Sequence, residues 1–237
     1  MHMFGMGGGL TIEFLLLVLL PMAVSMFVSW RFKSKARHYA KLPLTSGLTG
    51  REVAEKMLHD SGIHDVKVIS VNGHLSDHYN PQNKTVNLSP DVYAGRSILA
   101  AGVAAHECGH AVQHARAYSW LQLRSSMVPV LSLTSNWVMW VLLAGILLIE
   151  IFPALIWIGI GMFAFTTLFS FVTLPVEFDA SRRALAWLDT TGITRSKEHE
   201  EAKGALRWAA STYVVAALAS LGTLLYYVMI AMGARRN

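Results

Sequence analysis

Cysteine and charged residues are both scarce in this chain, and each shortage limits what the protein can be. The 237 residues include one cysteine, Cys108, so the chain cannot form an intramolecular disulfide. Charged residues make up 15% of the sequence, against about 25% in soluble domains, whereas hydrophobic residues make up 53%. The composition therefore predicts an integral membrane protein rather than a soluble enzyme.

Four apolar runs are long enough to cross a bilayer. We predict transmembrane helices at 10–30, at 128–149 and 151–174 within a hairpin of residues 127–174, and at 207–232. The turn at 150–153 is short, and Pro21 is expected to kink the first span. Residues 1–9 are expected to form a flexible tail and residues 233–237 a short one.

Lysine and arginine fall almost entirely on one side of these spans. Twelve of the 20 lie between the first and second spans, six lie from Arg182 to Arg207, where the fourth span begins, and none lies in the hairpin turn. The positive-inside rule assigns 31–126 and 175–206 to the cytoplasm, so we expect both termini on the outer side of the cell membrane. The four spans also make the lipid bilayer a partner. Because topology accounts for the net charge of +5, we expect no nucleic-acid partner.

The most informative motif lies in the long cytoplasmic segment, where residues 106–110 spell H-E-C-G-H. On a helix, His106 and His110 share one face and can hold one metal ion, while Glu107 is placed to take a proton from water. A chance match is the alternative, so the surroundings decide. Cys108 faces away from both histidines and is expected to be a small packing residue.

The segment around the motif predicts a small α+β domain. Thr49 and Glu52 form a capping box that opens a helix ending near Gly62. Strands are expected at 66–71 and 84–89, with a turn at 80–83 between them. Ser97 begins an apolar helix that runs through the motif to about Ala115. With the four spans, the predicted fold is mainly α with a small β-sheet.

A catalytic zinc site needs a third protein ligand besides the two histidines. We choose Glu177, which follows the third span closely and should begin a cytoplasmic helix after Pro175. Asp179 is the alternative ligand or a group that supports one. The other candidates lie further along the chain and are His199, Glu198, Glu200 and Glu201. We expect one Zn²⁺ per chain, with His74, His78 and His114 outside the ligand set.

The chain resembles the bacterial neutral zinc metallopeptidases of the YugP type over nearly its whole length. The resemblance rests on four strings, which are Ser76-Asp77-His78-Tyr79-Asn80-Pro81, Val86-Asn87-Leu88-Ser89, the segment 102–111 around the motif, and Leu174-Pro175-Val176-Glu177-Phe178-Asp179-Ala180-Ser181. It implies a membrane zinc peptidase.

More distantly, the chain is similar to HtpX-type and CAAX prenyl membrane proteases, which implies a gluzincin-like domain. In those relatives the ligand helix carries E-x-x-x-D, and its aspartate supports a ligand histidine. Here Ser181 stands at the aspartate position, and a serine can form a hydrogen bond with a histidine but supplies no charge. The supporting group is then Ser181 itself, or Asp179 or another carboxylate in its place.

The sequence predicts a zinc metalloendopeptidase with Glu107 as general base, acting on a peptide, protein or membrane-protein substrate. Arg182, His78 and Tyr79 are candidates for stabilising the transition state. An extended substrate is expected to pair with the strand at 84–89. Small residues at Gly159, Gly161 and Ala164 would allow a homo-oligomer, with lipid contact as the alternative.

Two other functions compete with this one. An intramembrane protease would hold the motif inside a long span, but the polar residues at 91–96 and 114–116 argue against that. A non-catalytic metal-binding scaffold or adaptor would keep the ligands, yet it would not need Glu107.

Overall fold

The computed structural model describes residues 11–73 and 75–234, which are mainly helical. The expected tail at 1–9, the last three residues of the expected tail at 233–237, and His74 lie outside this part of the chain. The chain divides into two compact units. The apolar unit comprises Met1–Phe27, Val130–Ser170 and Val215–Asn237, and the motif unit comprises Val28–Pro129 and Phe171–Val214.

Nine α-helices, one π-helical stretch and three strands make up the described residues. In chain order they are α1 Ile12–Phe14, the π-helical stretch Leu15–Leu19, α2 Leu20–Tyr39, α3 Gly50–Asp60, β1 Lys67–Ser70, β2 His78–Asn80, β3 Thr85–Leu88, α4 Pro90–Tyr93, α5 Ile98–Ala115, α6 Ser119–Ser135, α7 Val138–Leu147, α8 Ala154–Thr190 and α9 Lys197–Ala234.

Within the described residues, three helices are long and apolar enough to cross a membrane. They are Ile12–Tyr39, Ala154–Thr190 and Lys197–Gly233. The pair α6 and α7 makes a fourth candidate only if it counts as one span, because it is bent by 47°. The bend replaces the single helix expected at 128–149. Beside it, the Thr134 hydroxyl and the Asn136 amide donate to the carbonyls of Val130 and Ser132, in competition with backbone pairing.

Proline disturbs the first and third candidate spans differently. The π-helical stretch lies just before Pro21, whose missing N–H cannot bond to Leu17. At Pro175 the sequence predicted a break and a new helix, and this was wrong, since α8 continues to Thr190. The helix continues because it buries residues four apart on one face, and that packing outweighs the lost hydrogen bond. These residues are Val172, Val176, Ala180, Ala184 and Leu188.

The small sheet has the strand order β1-β3-β2, with β3 parallel to β1 and antiparallel to β2. The two predicted strands correspond to β1 and β3, whereas β2 is an addition. Since both edges of β3 are paired, a substrate cannot add to it, and the expectation of strand pairing along 84–89 was wrong. The free edge next to the motif helix belongs to β2.

The core of the motif unit forms where α3 packs against α5. Thr49 caps α3 through the predicted capping box, and Ser97 caps α5 by accepting a hydrogen bond from Ala100 N. Small residues on α5 allow close packing, and Cys108 is fully buried there, its sulfur 3.5 Å from the carbonyl oxygen of Ala54. Burial raises the pKa of the Cys108 thiol well above its ordinary value, as expected for a packing residue.

A second close approach joins α5 to α8 inside the same unit. A Cβ atom on Gly109 would lie 2.6 Å from the carbonyl oxygen of Ala180 and 3.0 Å from its Cα. Only glycine leaves room for this contact. It brings the motif helix directly against the helix that carries Glu177.

The apolar unit has its own small cluster, in which α7 packs on α8. Leu142, Ile156 and Ile160 are buried there. Gly159 lies against Leu142, where an added Cβ would be 2.8 Å from the leucine side chain, whereas a Cβ on Gly161 would meet no atom within 4 Å. Gly159 is therefore used inside the chain rather than left free for a homo-oligomer contact.

Candidate metal centre

The motif helix α5 presents His106 and His110 on one face, with ring centroids 4.8 Å apart. The Nδ1 atom of each ring has its own partner. The Ser181 hydroxyl lies 3.1 Å from His106 Nδ1, and Gln113 Oε1 lies 3.0 Å from His110 Nδ1. Both Nε2 atoms are left to face the same point.

Glu177 on α8 faces that point from the other side. Its Oε2 lies 3.3 Å from His106 Nε2, and its Oε1 lies 3.8 Å from His110 Nε2. One donor atom from each of the three residues can be chosen so that all lie within 4.8 Å of one another. No other group of three or more such residues occurs in the described ranges. The structure thus brings together the three ligands chosen from the sequence.

The hydrogen bonding of Glu177 tests whether this cluster suits a metal ion. The contact between Oε2 and His106 lacks hydrogen-bond geometry, so this buried oxygen has no hydrogen-bond partner in the part of the chain the structure describes. A buried, unpaired carboxylate oxygen is costly, and a bound cation would satisfy it. Two imidazole nitrogens and one carboxylate oxygen form a donor set typical of catalytic zinc. The residues present therefore fit zinc.

The pKa values of the two histidines are shifted in opposite directions. Burial and the charge on His106 lower the pKa of His110 to about 4, so its imidazole is neutral and able to bind a metal at neutral pH. Burial alone would also lower the pKa of His106, but the carboxylates of Glu177 and Glu107 outweigh it and raise that pKa.

Glu107 is buried beside the two histidines. Burial raises its pKa to about 7, and the charges on Glu177 and Asp77 add to the rise, while His106 opposes it. The backbone N–H of Tyr79, on β2, donates to Glu107 Oε2 at 3.0 Å. Strand β2 therefore holds the carboxylate that the sequence chose as general base.

A cavity of about 680 Å³ opens over these groups. Residues of α5, β2 and α6 line it, together with Glu177 and Tyr213. Arg124 on α6 reaches into the cluster, with Nη1 3.6 Å from Glu177 Oε1. The volume is ample for a segment of a peptide chain.

Of the other residues that the sequence analysis proposed for the site, some line the cavity and others do not. His78 and Tyr79 line the cavity, and the Tyr79 hydroxyl lies 2.8 Å from His114 Nδ1. Arg182 does not line it, because its side chain is 76% exposed and pairs with Asp179. His199, an alternative ligand, lies instead beside Thr194.

Three residues at the site escaped the sequence analysis. Gln113 carried a usable signal, since it lies three residues after His110 and so shares its helix face. Arg124 was counted only as a residue that marks membrane topology. Tyr213 lies far along the chain and had no motif around it.

Known proteins resemble this chain along most of its length. A profile of the family described as "Putative neutral zinc metallopeptidase" matches residues 14–232. A protein of Bacillus subtilis (strain 168), described as "Putative membrane protease YugP", is 41% identical over 222 residues, which cover 94% of this chain and 98% of that relative. No solved structure matches the chain. On this match and the donor set just described, the chain belongs to the family described as "Putative neutral zinc metallopeptidase".

Proposed function

We propose that this protein is a membrane zinc endopeptidase that hydrolyses peptide bonds in protein or membrane-protein substrates. The observation that carries the proposal is the buried convergence of His106, His110 and Glu177 beside Glu107, at the floor of a peptide-sized cavity. Two histidines and a glutamate would make the metal centre gluzincin-like, with one zinc ion per chain.

The two imidazole Nε2 atoms and the Glu177 carboxylate would hold the ion. When bound there, zinc would polarise a scissile carbonyl and lower the pKa of a coordinated water towards ~7. The hydrogen bonds at both Nδ1 atoms keep the rings turned so that their Nε2 atoms face Glu177.

Glu107 serves as the general base and then as the general acid. It accepts a proton from the attacking water as the water oxygen bonds to the carbonyl carbon. It then delivers that proton to the amide nitrogen as the carbon–nitrogen bond breaks, so that the amine leaves neutral. In the metal-free protein burial raises the pKa of Glu107 to about 7, and a cation bound beside it would lower that pKa.

Two cavity residues are better placed than Arg182 to stabilise negative charge on the carbonyl oxygen. Arg124 carries a permanent positive charge next to Glu177, and Tyr213 offers a hydroxyl in the same cavity. His78 and Tyr79, which also line the cavity, remain candidates.

The location follows from the sequence and supports the choice of substrate. We place the enzyme in the cell membrane as a multi-pass protein, with both termini outside and the metal centre facing the cytoplasm. The arrangement of lysine and arginine and the apolar helices support this topology. A metal centre on the cytoplasmic side of a membrane protein favours membrane proteins, or their loops and tails, as substrates.

The test compares cleavage of casein by the full-length protein in detergent with cleavage by Glu107→Gln. We expect the variant to bind zinc like the wild type but to lose at least about a hundredfold in rate, since general-base catalysis contributes roughly 10²–10⁴. Glu55→Gln is the matched control, because Glu55 is an exposed helical acid that pairs with Arg51 away from the cavity.

The outcomes separate the alternatives. Equal cleavage by wild type and Glu107→Gln would refute the role of Glu107. A wild type that binds zinc but cleaves neither casein nor a panel of membrane-protein tails would instead favour the non-catalytic scaffold.

A further inference from the structure

Gln113 is a fully buried amide at the back of the metal centre, and it makes three hydrogen bonds. Its Oε1 lies 3.0 Å from His110 Nδ1. Its Nε2 donates to the carbonyl oxygen of Val176 at 2.8 Å and to Asp179 Oδ2 at 2.9 Å. A buried side chain on the motif helix is thus bonded twice to the helix that carries Glu177.

These bonds fix which end of the amide faces the histidine. The carbonyl of Val176 and the carboxylate of Asp179 can only accept hydrogen bonds, so the amide nitrogen must face them. The amide oxygen therefore faces His110, and an oxygen there requires a proton on Nδ1. The lone pair of the ring then lies on Nε2, the atom that faces Glu177.

Asp179 supplies the charge at the far end of this chain of hydrogen bonds. It is buried, and it accepts from Arg183 at 2.6 Å and from Arg182. The two arginines hold the carboxylate in place and keep it ionised. An ionised acceptor strengthens the Gln113 bond, which in turn polarises the amide oxygen towards His110.

We propose that Gln113 and Asp179 are positioning residues that hold His110 in the tautomer with its proton on Nδ1. Asp179 acts through Gln113, and Gln113 acts through its hydrogen bond to His110. His106 has the simpler arrangement, a single neutral partner in Ser181. Asp179 stands two residues after Glu177 on α8, and Gln113 carries the effect of its charge to His110. The inference rests on the proposed metal centre.

The first test measures the tautomer itself, in the full-length metal-free protein in detergent. Nitrogen-15 NMR of labelled histidines distinguishes a protonated Nδ1 from a bare one, and His110→Asn assigns the signal. We expect His110 of the wild type to carry its proton on Nδ1, and Gln113→Leu to give a mixture of tautomers. Ser181→Ala is the matched control, because it should change the His106 signals and leave those of His110.

The second test measures zinc affinity by competition with a chelator. Loss of a group that orients a ligand histidine costs 10–100-fold in metal affinity, and we expect Gln113→Leu to bind zinc more weakly by about that factor. Thermal unfolding of each variant shows whether it is folded. Asp179→Asn, which keeps the shape but removes the charge, should weaken zinc binding less than Gln113→Leu does.

A charge swap separates this role from simple packing. Gln113→Glu places a carboxylate against that of Asp179 and should impair zinc binding. Adding Asp179→Asn to that variant removes the repulsion between the two carboxylates and offers an amide N–H to the new one, while His110 keeps an acceptor. The unfavourable contact with the Val176 carbonyl is common to both variants. The double variant should therefore bind zinc more tightly than Gln113→Glu alone.

The results that overturn the inference differ from those that overturn the proposed function. An unchanged His110 tautomer in Gln113→Leu, or a double variant no better than Gln113→Glu, would refute the positioning role even if wild type cleaves substrate. A wild type that binds no zinc would refute the metal centre, and the tautomer measurement on the metal-free protein would still decide the role of Gln113.

Discussion

Gly109→Ala should damage the metal centre, although residue 109 itself binds nothing. The added methyl group would lie 2.6 Å from the carbonyl oxygen of Ala180, where ordinary contact begins at 3.4 Å. The clashing atoms of Ala180 belong to the backbone, and so does the Cα that would carry the new methyl group, so neither can rotate away. The helix α8 must therefore move away from α5 by roughly 0.8 Å, the difference between these two distances. Glu177 and Ser181 lie on the same helix within one turn of Ala180 and would move with it.

The magnitude follows from two opposing effects. Alanine is a better helix former than glycine by about 1 kcal/mol, which favours the variant. Forcing extra volume into a packed contact costs typically 1–3 kcal/mol, so the net loss of stability should be at most about 2 kcal/mol. Zinc affinity should fall further, because the separation of Glu177 from both histidines changes.

Gly102→Ala is the matched control in the same helix. Gly102 is also a buried glycine of α5, but a Cβ atom there would meet no atom within 4 Å. It should raise stability by up to about 1 kcal/mol and leave zinc affinity unchanged. Thermal unfolding and zinc competition in detergent measure both effects. If Gly109→Ala is as stable as Gly102→Ala and binds zinc as tightly, the reasoning from close packing fails.

Three further perturbations test other parts of the site. Glu177→Gln should abolish tight zinc binding measured by metal content after dialysis, and retention of one zinc per chain would show that Glu177 is not a ligand. In the metal-free protein, the pKa of Glu107 is raised from 4.5 to about 7, so its stabilising contribution is present below pH 4.5 and lost as pH rises through 7. Glu107→Gln should therefore gain stability relative to wild type between pH 5 and 8, by at most about 3 kcal/mol, and a constant difference in melting temperature over that range would contradict this. Cys108, buried and with a raised pKa, should react with a water-soluble maleimide only after unfolding, and rapid labelling of the native protein would contradict its packing role.

The parts of the fold that could be predicted are those with local signals. The capping box at Thr49, the cap at Ser97, the apolar residues of β1 and the alternation in β3 are signals carried by neighbouring residues, and the elements they predict are present. Strand β2 was not predictable in this way, because three residues are too few to show alternation. It exists because β3 offers it an edge, which is a tertiary contact.

The wrong prediction at Pro175 also arose because a tertiary contact outweighs a local signal. Proline carries a strong local signal to end a helix, and that signal predicted a new helix beginning near Glu177. The burial of one face of α8 from Val172 to Leu188 decides otherwise. Glu177 was chosen because it closely follows an apolar run, and the longer helix leaves that position unchanged. The prediction of the helix boundary was therefore wrong, although Glu177 still lies beside the two histidines.

The candidate site shows a similar division between local and distant information. His106, Glu107 and His110 are fixed by spacing along one helix, and Glu177 was chosen from its position after an apolar run. Arg124 could not be assigned, because its sequence neighbours give it no role and only the fold brings it to Glu177. Groups that reach the site from a second helix are the ones that sequence spacing alone cannot supply.

The hydrogen bond from the backbone of Tyr79 to Glu107 has a consequence for how freely the site can vary. A main-chain N–H belongs to every residue except proline, so no other substitution at position 79 deletes this donor. The phenol of Tyr79 faces His114 and contributes separately. A substitution at 79 other than proline therefore alters the wall of the cavity and leaves the carboxylate of Glu107 its main-chain donor.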